Sequence, residues 1–158
     1  YNHKNTGRPL SEGGWYQKYR SNYIDVTNEP LYPFGFGLSF TTFTYGEMVM
    51  DKSQLSAGKI ITASVDVTNS GNYDGAEVVQ LYIRDMVGRI TRPVKELKGF
   101  QKIFLKAGET KKVTFTITPE DLKFYNYELV YDWEPGEFLI MIGSKSRDVQ
   151  TRAASWMK

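Results

Sequence analysis

Apolar residues recur at every second position along four stretches of this chain. Between Ile61 and Thr68 every odd-numbered residue is apolar and every even-numbered residue is polar. This is the period-two pattern of a strand that buries one of its faces. Apolar residues likewise occupy every second position over 79–83, 113–117 and 138–142. Weaker patterns predict three further strands, over 43–50, 100–105 and 128–133.

Turn-forming residues separate most of these stretches. Glycine-containing clusters lie at 69–72, 107–109 and 134–136, as expected between paired strands. About seven short strands with such turns predict an all-β fold, an antiparallel β-sandwich of the immunoglobulin-like type. The chain shows no long helices alternating with strands, which argues against a parallel α/β sheet. A single helical turn is predicted over 118–122, where Thr118 and Asp121 can form a capping box.

The first 41 residues have a different character. Eleven of the 23 aromatic residues lie within residues 1–45, interleaved with glycine and proline, which interrupt helix and strand patterns alike. Because so many aromatic rings need an apolar surface to cover, we expect an irregular strap that lies against a body partly outside this chain. The division predicted is a strap over 1–41 and a sandwich over 42–158. Four rings are assigned to packing of the strap: Tyr32, Phe34, Phe36 and Phe40.

Composition narrows the function classes. The 158 residues include 41% hydrophobic and 24% charged residues, a net charge of +2 and no cysteine. The absence of cysteine excludes disulfides, thiolate metal sites and cysteine nucleophiles, and a charge this small does not indicate nucleic acid or a membrane surface as partner. No apolar run approaches the ~18 residues of a membrane span. Since the first residue is Tyr1, we expect a piece of a longer polypeptide.

Candidate catalytic residues are few. His3 is the sole histidine, which excludes histidine pairs as metal ligands, and no Gly-x-Ser-x-Gly motif accompanies it. The segment Gly35–Gly37 is followed by a strand-like run instead of the helix that a phosphate loop needs. Carboxylates such as Glu120 and Asp121 are explained by a helix start. We therefore predict no catalytic residue, no metal and no cofactor in this chain.

A basic cluster is the more informative charged feature. Residues 84–112 contain nine basic and three acidic residues, but most of the lysines fall between apolar strand positions, where they protect sheet edges. The loop from Arg84 to Lys95 differs, because its arginines lie off any predicted strand and arginine makes bidentate contacts to carboxylates and hydroxyl-rich ligands. Its role is left open between interdomain docking, plain surface and a substrate rim. The candidate residues are Arg84, Asp85, Arg89, Arg92 and Lys95.

Several collinear motifs carry a resemblance to a known family. They begin with LYPFGFGLSFTTF at 31–43 and continue at 69–71, 75–82, 92–100, 105–113 and 135–143. The first resembles the segment that opens the C-terminal fibronectin type III-like domain of family 3 glycoside hydrolases, the β-glucosidase and β-xylosidase group, and the others follow in the order of that family. Residues 1–9 resemble the exit from the preceding α/β sandwich domain of the same enzymes.

The resemblance implies a fibronectin type III-like accessory domain of a retaining, exo-acting β-glycosidase. Catalytic carboxylates lie in upstream domains of that family, and no position here matches their motifs, so none is carried over. The implied partners are the upstream catalytic domains of the same polypeptide, and β-linked glycosides are the implied substrates of the parent enzyme. The implied location is periplasmic or secreted, in a bacterium. Phe36 and Phe40 stand where the family often has tyrosine, which removes two hydroxyl groups but preserves packing.

The sequence leaves two alternatives to an accessory docking domain open. A carbohydrate-binding module would use exposed aromatic rings as a sugar platform, with Trp15, Trp133 and Trp156 as candidates. A protein-interaction domain is the other, since immunoglobulin-like folds serve many functions.

Overall fold

A computed structural model describes residues 30–56 and 58–157 of the chain. Its strands are, in chain order, β1 (Phe43–Tyr45), β2 (Val49–Met50), β3 (Gln54–Ser56), β4 (Ile61–Asn69), β5 (Gly75–Asp85), β6 (Glu96–Leu105), β7 (Thr110–Ile117), β8 (Phe124–Tyr125), β9 (Tyr131–Asp132), β10 (Gly136–Gly143) and β11 (Val149–Met157). One 3₁₀-helical turn spans Pro119–Leu122. None of the described helical structure is long and apolar enough to cross a membrane.

The strands form two sheets and a small ribbon. In the first sheet, β4 pairs with β1 and β2 along one side and with β7 along the other. The second sheet has the order β3-β11-β10-β5-β6, and β8 and β9 pair as a two-stranded ribbon. Among the described residues, every strand pairing is antiparallel except that of β3 with β11. The predicted antiparallel β-sandwich is confirmed, but the described residues form eleven strands where about seven were expected, and five of these have only two or three residues.

The alternating stretches of the sequence supply the core. Every odd-numbered residue of β4 from Ile61 to Val67 is buried, and β7 lies opposite in register, with Ile61 beside Ile117 and Val65 beside Val113. Strands β5 and β10 supply the facing layer of the second sheet through their own alternate residues. Burial of these side chains on both inner faces is the main stabilising contribution.

Strand β11 was missed by the sequence pattern. Its inward positions include Gln150 and Arg152, which reach the first sheet instead of entering the core. The Gln150 amide accepts from the backbone N–H of Met48 at 2.8 Å and donates to the carbonyl of Gly46. Since polar residues occupy half of its inner face, β11 shows no period-two signal.

Two other strand predictions hold only in part. The expected strand over 43–50 is divided into β1 and β2 on either side of Gly46, and both parts pair with β4. The expected strand over 128–133 is reduced to the two residues of β9. The helical turn forms as predicted, and the Asp121 carboxylate accepts from the Thr118 backbone N–H at 2.7 Å.

Asn69 ties one end of the sandwich together. Its side chain is fully buried and makes four hydrogen bonds. The amide nitrogen donates to the carbonyls of Tyr73 and Leu105, at 2.8 and 3.1 Å. The amide oxygen accepts from the Thr41 hydroxyl at 2.7 Å and from the Gly71 N–H at 3.2 Å. One residue therefore joins the strap, β4, the β4–β5 turn and the end of β6.

Candidate functional site

The described part of the strap is fixed to the second sheet by its backbone. The carbonyl of Phe34 accepts a hydrogen bond from the N–H of Ser146, in the β10–β11 loop, at 2.9 Å. Pro33 to Phe36 form a tight turn, in which Gly35 has a φ of 79°. A Cβ at this glycine would lie 2.2 Å from the Oε1 atom of Gln80. Both the conformation and the close approach therefore require glycine.

Gln80 is the buried residue under this turn. Its amide nitrogen donates to the Ser144 carbonyl at 2.6 Å and to the Gly35 carbonyl at 3.4 Å. Its amide oxygen accepts from the hydroxyl of Tyr82, which is itself buried. Although Gln80 lies on the outer face of β5, its polar atoms are used in holding the strap and the β10–β11 loop together. The turn of the strap is thus held by hydrogen bonds and by the close fit of Gly35 against the Gln80 side chain.

The four aromatic rings in the described part of the strap are open to solvent, although its backbone is held in place. Tyr32 and Phe34 are 64% and 52% exposed, Phe36 is 39% exposed and Phe40 is 99% exposed. The rings of Tyr32 and Phe36 contact each other at 5.0 Å between centroids. Rings held out from an ordered backbone form a surface ready to pack against another body.

A cleft of about 1010 Å³ lies between the strap, β5, β6 and the β10–β11 loop. Its polar lining includes Glu77 and Tyr45, whose hydroxyl donates to the Glu77 carboxylate at 2.8 Å and so bridges the two sheets. Burial raises the pKa of Glu77 above its ordinary value, against the opposing effects of the Tyr45 hydrogen bond and the charge of Lys145. Burial also raises the pKa of Tyr45. Among the described residues no group of three His, Cys, Asp or Glu side chains could hold a metal ion.

The structure corrects the interpretation of the 84–95 loop. Arg84 and Asp85 belong to β5, so they do not lie off the strands. Arg92 is nearly buried and pairs with Asp85 at 3.3 Å and with Glu96 at 2.6 Å. Its guanidinium also lies 4.2 Å from the ring centroid of Phe124. Arg92 is therefore an internal brace of the loop.

The other charged residues in and beside this loop differ in exposure: some are held by partners within the domain, and one extends into solvent. Burial would raise the pKa of Glu96, but hydrogen bonds from Lys98 and Arg92 hold it below its ordinary value. Lys95 donates to the carbonyl of Ser146, which ties the loop to the β10–β11 loop. Arg89 is the outward cation: its side chain is 78% exposed and lies 3.5 Å from the carboxylate of Glu134. Of the predicted candidates, Arg89 is the one best placed to meet another surface.

Two of the three tryptophans expected to form the platform of a carbohydrate-binding module are not available for it. Trp156 is fully buried, packs edge-on against Phe138 at 6.0 Å and donates its indole N–H to the Lys59 carbonyl. Trp133 is 7% exposed and belongs to the core. Neither ring can stack on a sugar. Trp15 and His3 lie outside the described residues.

Sequence reasoning missed two exposed aromatic residues, Phe100 and Phe104 on β6. They are 65% and 63% exposed, and they alternate with Ile103 and Leu105, which are buried. Apolar residues on both faces of one strand are the signal that was available, because a strand covered on one side only shows clean alternation.

Comparison with known proteins gives a consistent set of relatives. A family model described as "Fibronectin type III-like domain" matches residues 77–146. The chain is 49% identical over 150 residues to the periplasmic beta-glucosidase of Salmonella typhimurium, covering 95% of this chain and 20% of that protein. It is 48% identical over 146 residues to a beta-xylosidase of Formosa agariphila, covering 91% of this chain and 20% of that protein.

Solved structures agree with these sequence relatives. The fold superimposes on the crystal structure of a beta-glucosidase from Listeria innocua with a TM-score of 0.87 and 39% identity. That match covers 100% of this chain and 22% of that chain. The chain thus spans about a fifth of the length of the proteins it resembles.

Proposed function

Because this chain belongs to the fibronectin type III-like domains of family 3 glycoside hydrolases, we propose that it is a non-catalytic accessory domain of a β-glycosidase. In this proposal it docks on the catalytic domains of the same polypeptide and stabilises them. The parent enzyme is retaining and exo-acting, and β-linked glycosides are its substrates. Relatives named as beta-glucosidases and beta-xylosidases, at 46–49% identity, support this substrate class. The relative named as periplasmic supports a periplasmic or secreted parent.

One observation supports the docking role: in the described part of the strap, residues 30–41, the backbone is hydrogen-bonded to the second sheet while the aromatic rings are exposed. Phe34 and Gly35 are fastened to the β10–β11 loop and to Gln80, yet Phe40 is 99% exposed. A large apolar ring fully in water gains nothing for this domain by itself, whereas burial against a second body contributes about 1.5–3 kcal/mol per side chain. The strap over 1–41 is therefore the segment through which the sandwich over 42–158 meets the upstream domains.

The loop over 84–95 has a second place in the proposal. Arg92 and Asp85 hold its shape from within, so the loop is preorganised without a partner. Arg89 extends from it into solvent, and we assign it to contact with a catalytic domain at the edge of the substrate pocket. Interfaces within one chain are commonly modest in area and polar, which suits an exposed arginine.

The experiment compares Phe40→Ser with Tyr127→Ser in the full polypeptide that carries this chain. Both side chains are exposed here, at 99% and 85%, so neither change should unfold this domain. We expect Phe40→Ser to lower the melting temperature and the rate of aryl β-glucoside hydrolysis, and Tyr127→Ser to change neither. Unchanged melting and turnover for Phe40→Ser would refute docking through the strap.

A second arm separates docking from carbohydrate binding. Arg89→Ala is measured on short aryl glycosides and on polymeric substrate. If the loop edges the pocket, KM for the short glycoside rises while the melting temperature holds. If only retention on the polymer falls, the carbohydrate-binding alternative is favoured instead.

A further inference from the structure

The outer face of β5 and β6 carries an apolar patch that the described part of the strap, residues 30–41, leaves exposed. Phe100 and Phe104 are 65% and 63% exposed, and Leu97 and Val78 are 38% and 36% exposed. We propose that this β5–β6 outer face is a second docking surface, covered by the catalytic part of the same polypeptide. The inference rests on the proposed accessory function and adds the surface that it uses besides the strap.

Strand register brings these residues onto one face. Phe104 pairs with Ala76, Lys102 with Val78 and Phe100 with Gln80. In a strand, alternate residues share a face, so the aromatic rings stand on either side of Lys102. Ile103 and Leu105, on either side of Phe104 in the sequence, point to the opposite face and enter the core. The β6 strand is thus apolar on both faces, as are strands that are covered on both sides.

The patch is continuous with the strap. Leu38 lines the same cleft as Val78, Leu97 and Phe100, and it is 91% exposed. Rings of the strap and rings of β6 therefore border a single concave surface. Contiguous exposed apolar surface of this kind marks an interaction site in a stable protein.

The length of the relatives and the position of the patch favour the same polypeptide as its occupant. The chain spans about a fifth of the length of its relatives, and a segment that precedes the strap is tethered beside this patch at high effective concentration. A second copy fits poorly, because a two-fold contact centred on this patch would bring two Lys102 ammonium groups together. A sugar chain also fits poorly, because Val78, Leu97 and Leu38 offer it no hydrogen bonds.

Cysteine labelling tests the proposal in the full polypeptide. This chain contains no cysteine, so Lys102→Cys, Phe40→Cys and Thr114→Cys each place a single thiol in it, at exposed positions. Thr114 lies on β7 in the opposite sheet and is the matched control. Labelling by a maleimide is followed by mass spectrometry of the tryptic peptides, first natively and then in urea.

We expect native labelling of Lys102→Cys to be at least tenfold slower than that of Thr114→Cys, with equal rates in urea. Equal native rates for these two, with Phe40→Cys protected, would overturn this inference and leave the strap docking intact. If Phe40→Cys also labels at the control rate, the proposed accessory function fails as well. If protection of Lys102→Cys grows with protein concentration, the inference is overturned in favour of a second copy. If protection needs added soluble β-glucan, the inference is overturned in favour of a sugar.

Discussion

Replacing Asn69 by alanine should cost this domain a large part of its stability. The side chain is fully buried and makes four hydrogen bonds, of which the one to the Leu105 carbonyl is the most deeply buried. Leaving a buried polar group unpaired costs about 1–3 kcal/mol. Counting about 2 kcal/mol for the buried carbonyl and about 1 kcal/mol or less for each of three partly exposed partners, we expect a loss of about 4 kcal/mol. Domains of this kind have about 5–15 kcal/mol in total.

Urea unfolding followed by tryptophan fluorescence measures this loss directly. Trp133 and Trp156 are buried in the native state, so their emission should shift to the red on unfolding. Asn72→Ala is the control, because Asn72 lies in the same turn but is exposed, and we expect it to stay within about 0.5 kcal/mol of the wild type. A loss below about 1 kcal/mol for Asn69→Ala would refute the reasoning.

Asn69→Asp refines the test, because it keeps the shape and exchanges the donor for an acceptor. A carboxylate oxygen would then face the carbonyls of Tyr73 and Leu105, which accept hydrogen bonds from the amide nitrogen in the wild type and need a donor. Burial and these carbonyls should raise the pKa of the new carboxyl in the folded state. Its stability penalty should therefore shrink as the pH is lowered, whereas the penalty of Asn69→Ala should not follow that pH dependence.

Three further predictions follow from the strap, the loop and the inter-sheet carboxylate. Gly35→Ala should destabilise the domain by about 1–3 kcal/mol in urea unfolding, because it combines a positive φ with overlap onto a buried amide, while Gly37→Ala, which meets nothing within 4 Å, should not. Arg92→Ala should cost about 3–5 kcal/mol in the same assay, since it leaves a buried carboxylate without its partner, and Arg89→Ala, at an exposed pair, should cost less than about 1 kcal/mol. Because the pKa of Glu77 is raised in the folded state, its contribution to stability is present at low pH and lost as the pH rises through that pKa. Glu77→Gln should therefore gain stability relative to the wild type as the pH rises from 4 to 7 in thermal unfolding, and a constant difference would contradict this sign.

The fold class was predictable because its core strands bury one face. In β4 and β7 each inward residue lies beside an inward residue of the partner strand. Buried positions therefore alternate with the same two-residue period as the apolar residues in the sequence. Strand β11 was not predictable on these grounds. Gln150 and Arg152 occupy inward positions there, and they are tolerated because their polar ends reach Gly46 and Glu47 of the other sheet. That compensation exists only once the two sheets are packed.

The candidate site shows the same division. The sequence alone determined the sandwich, its turns and the aromatic-rich composition of the first 45 residues, since periodicity, glycine conformation and ring content are local properties of the chain. Only the tertiary structure decided which polar groups are consumed internally. Arg92 and Arg89 are the same residue type in one loop, yet one is buried between two carboxylates and the other stands in solvent. The exposure of a side chain and its ion-pair partners depend on residues distant in the sequence, and a local sequence pattern does not encode them.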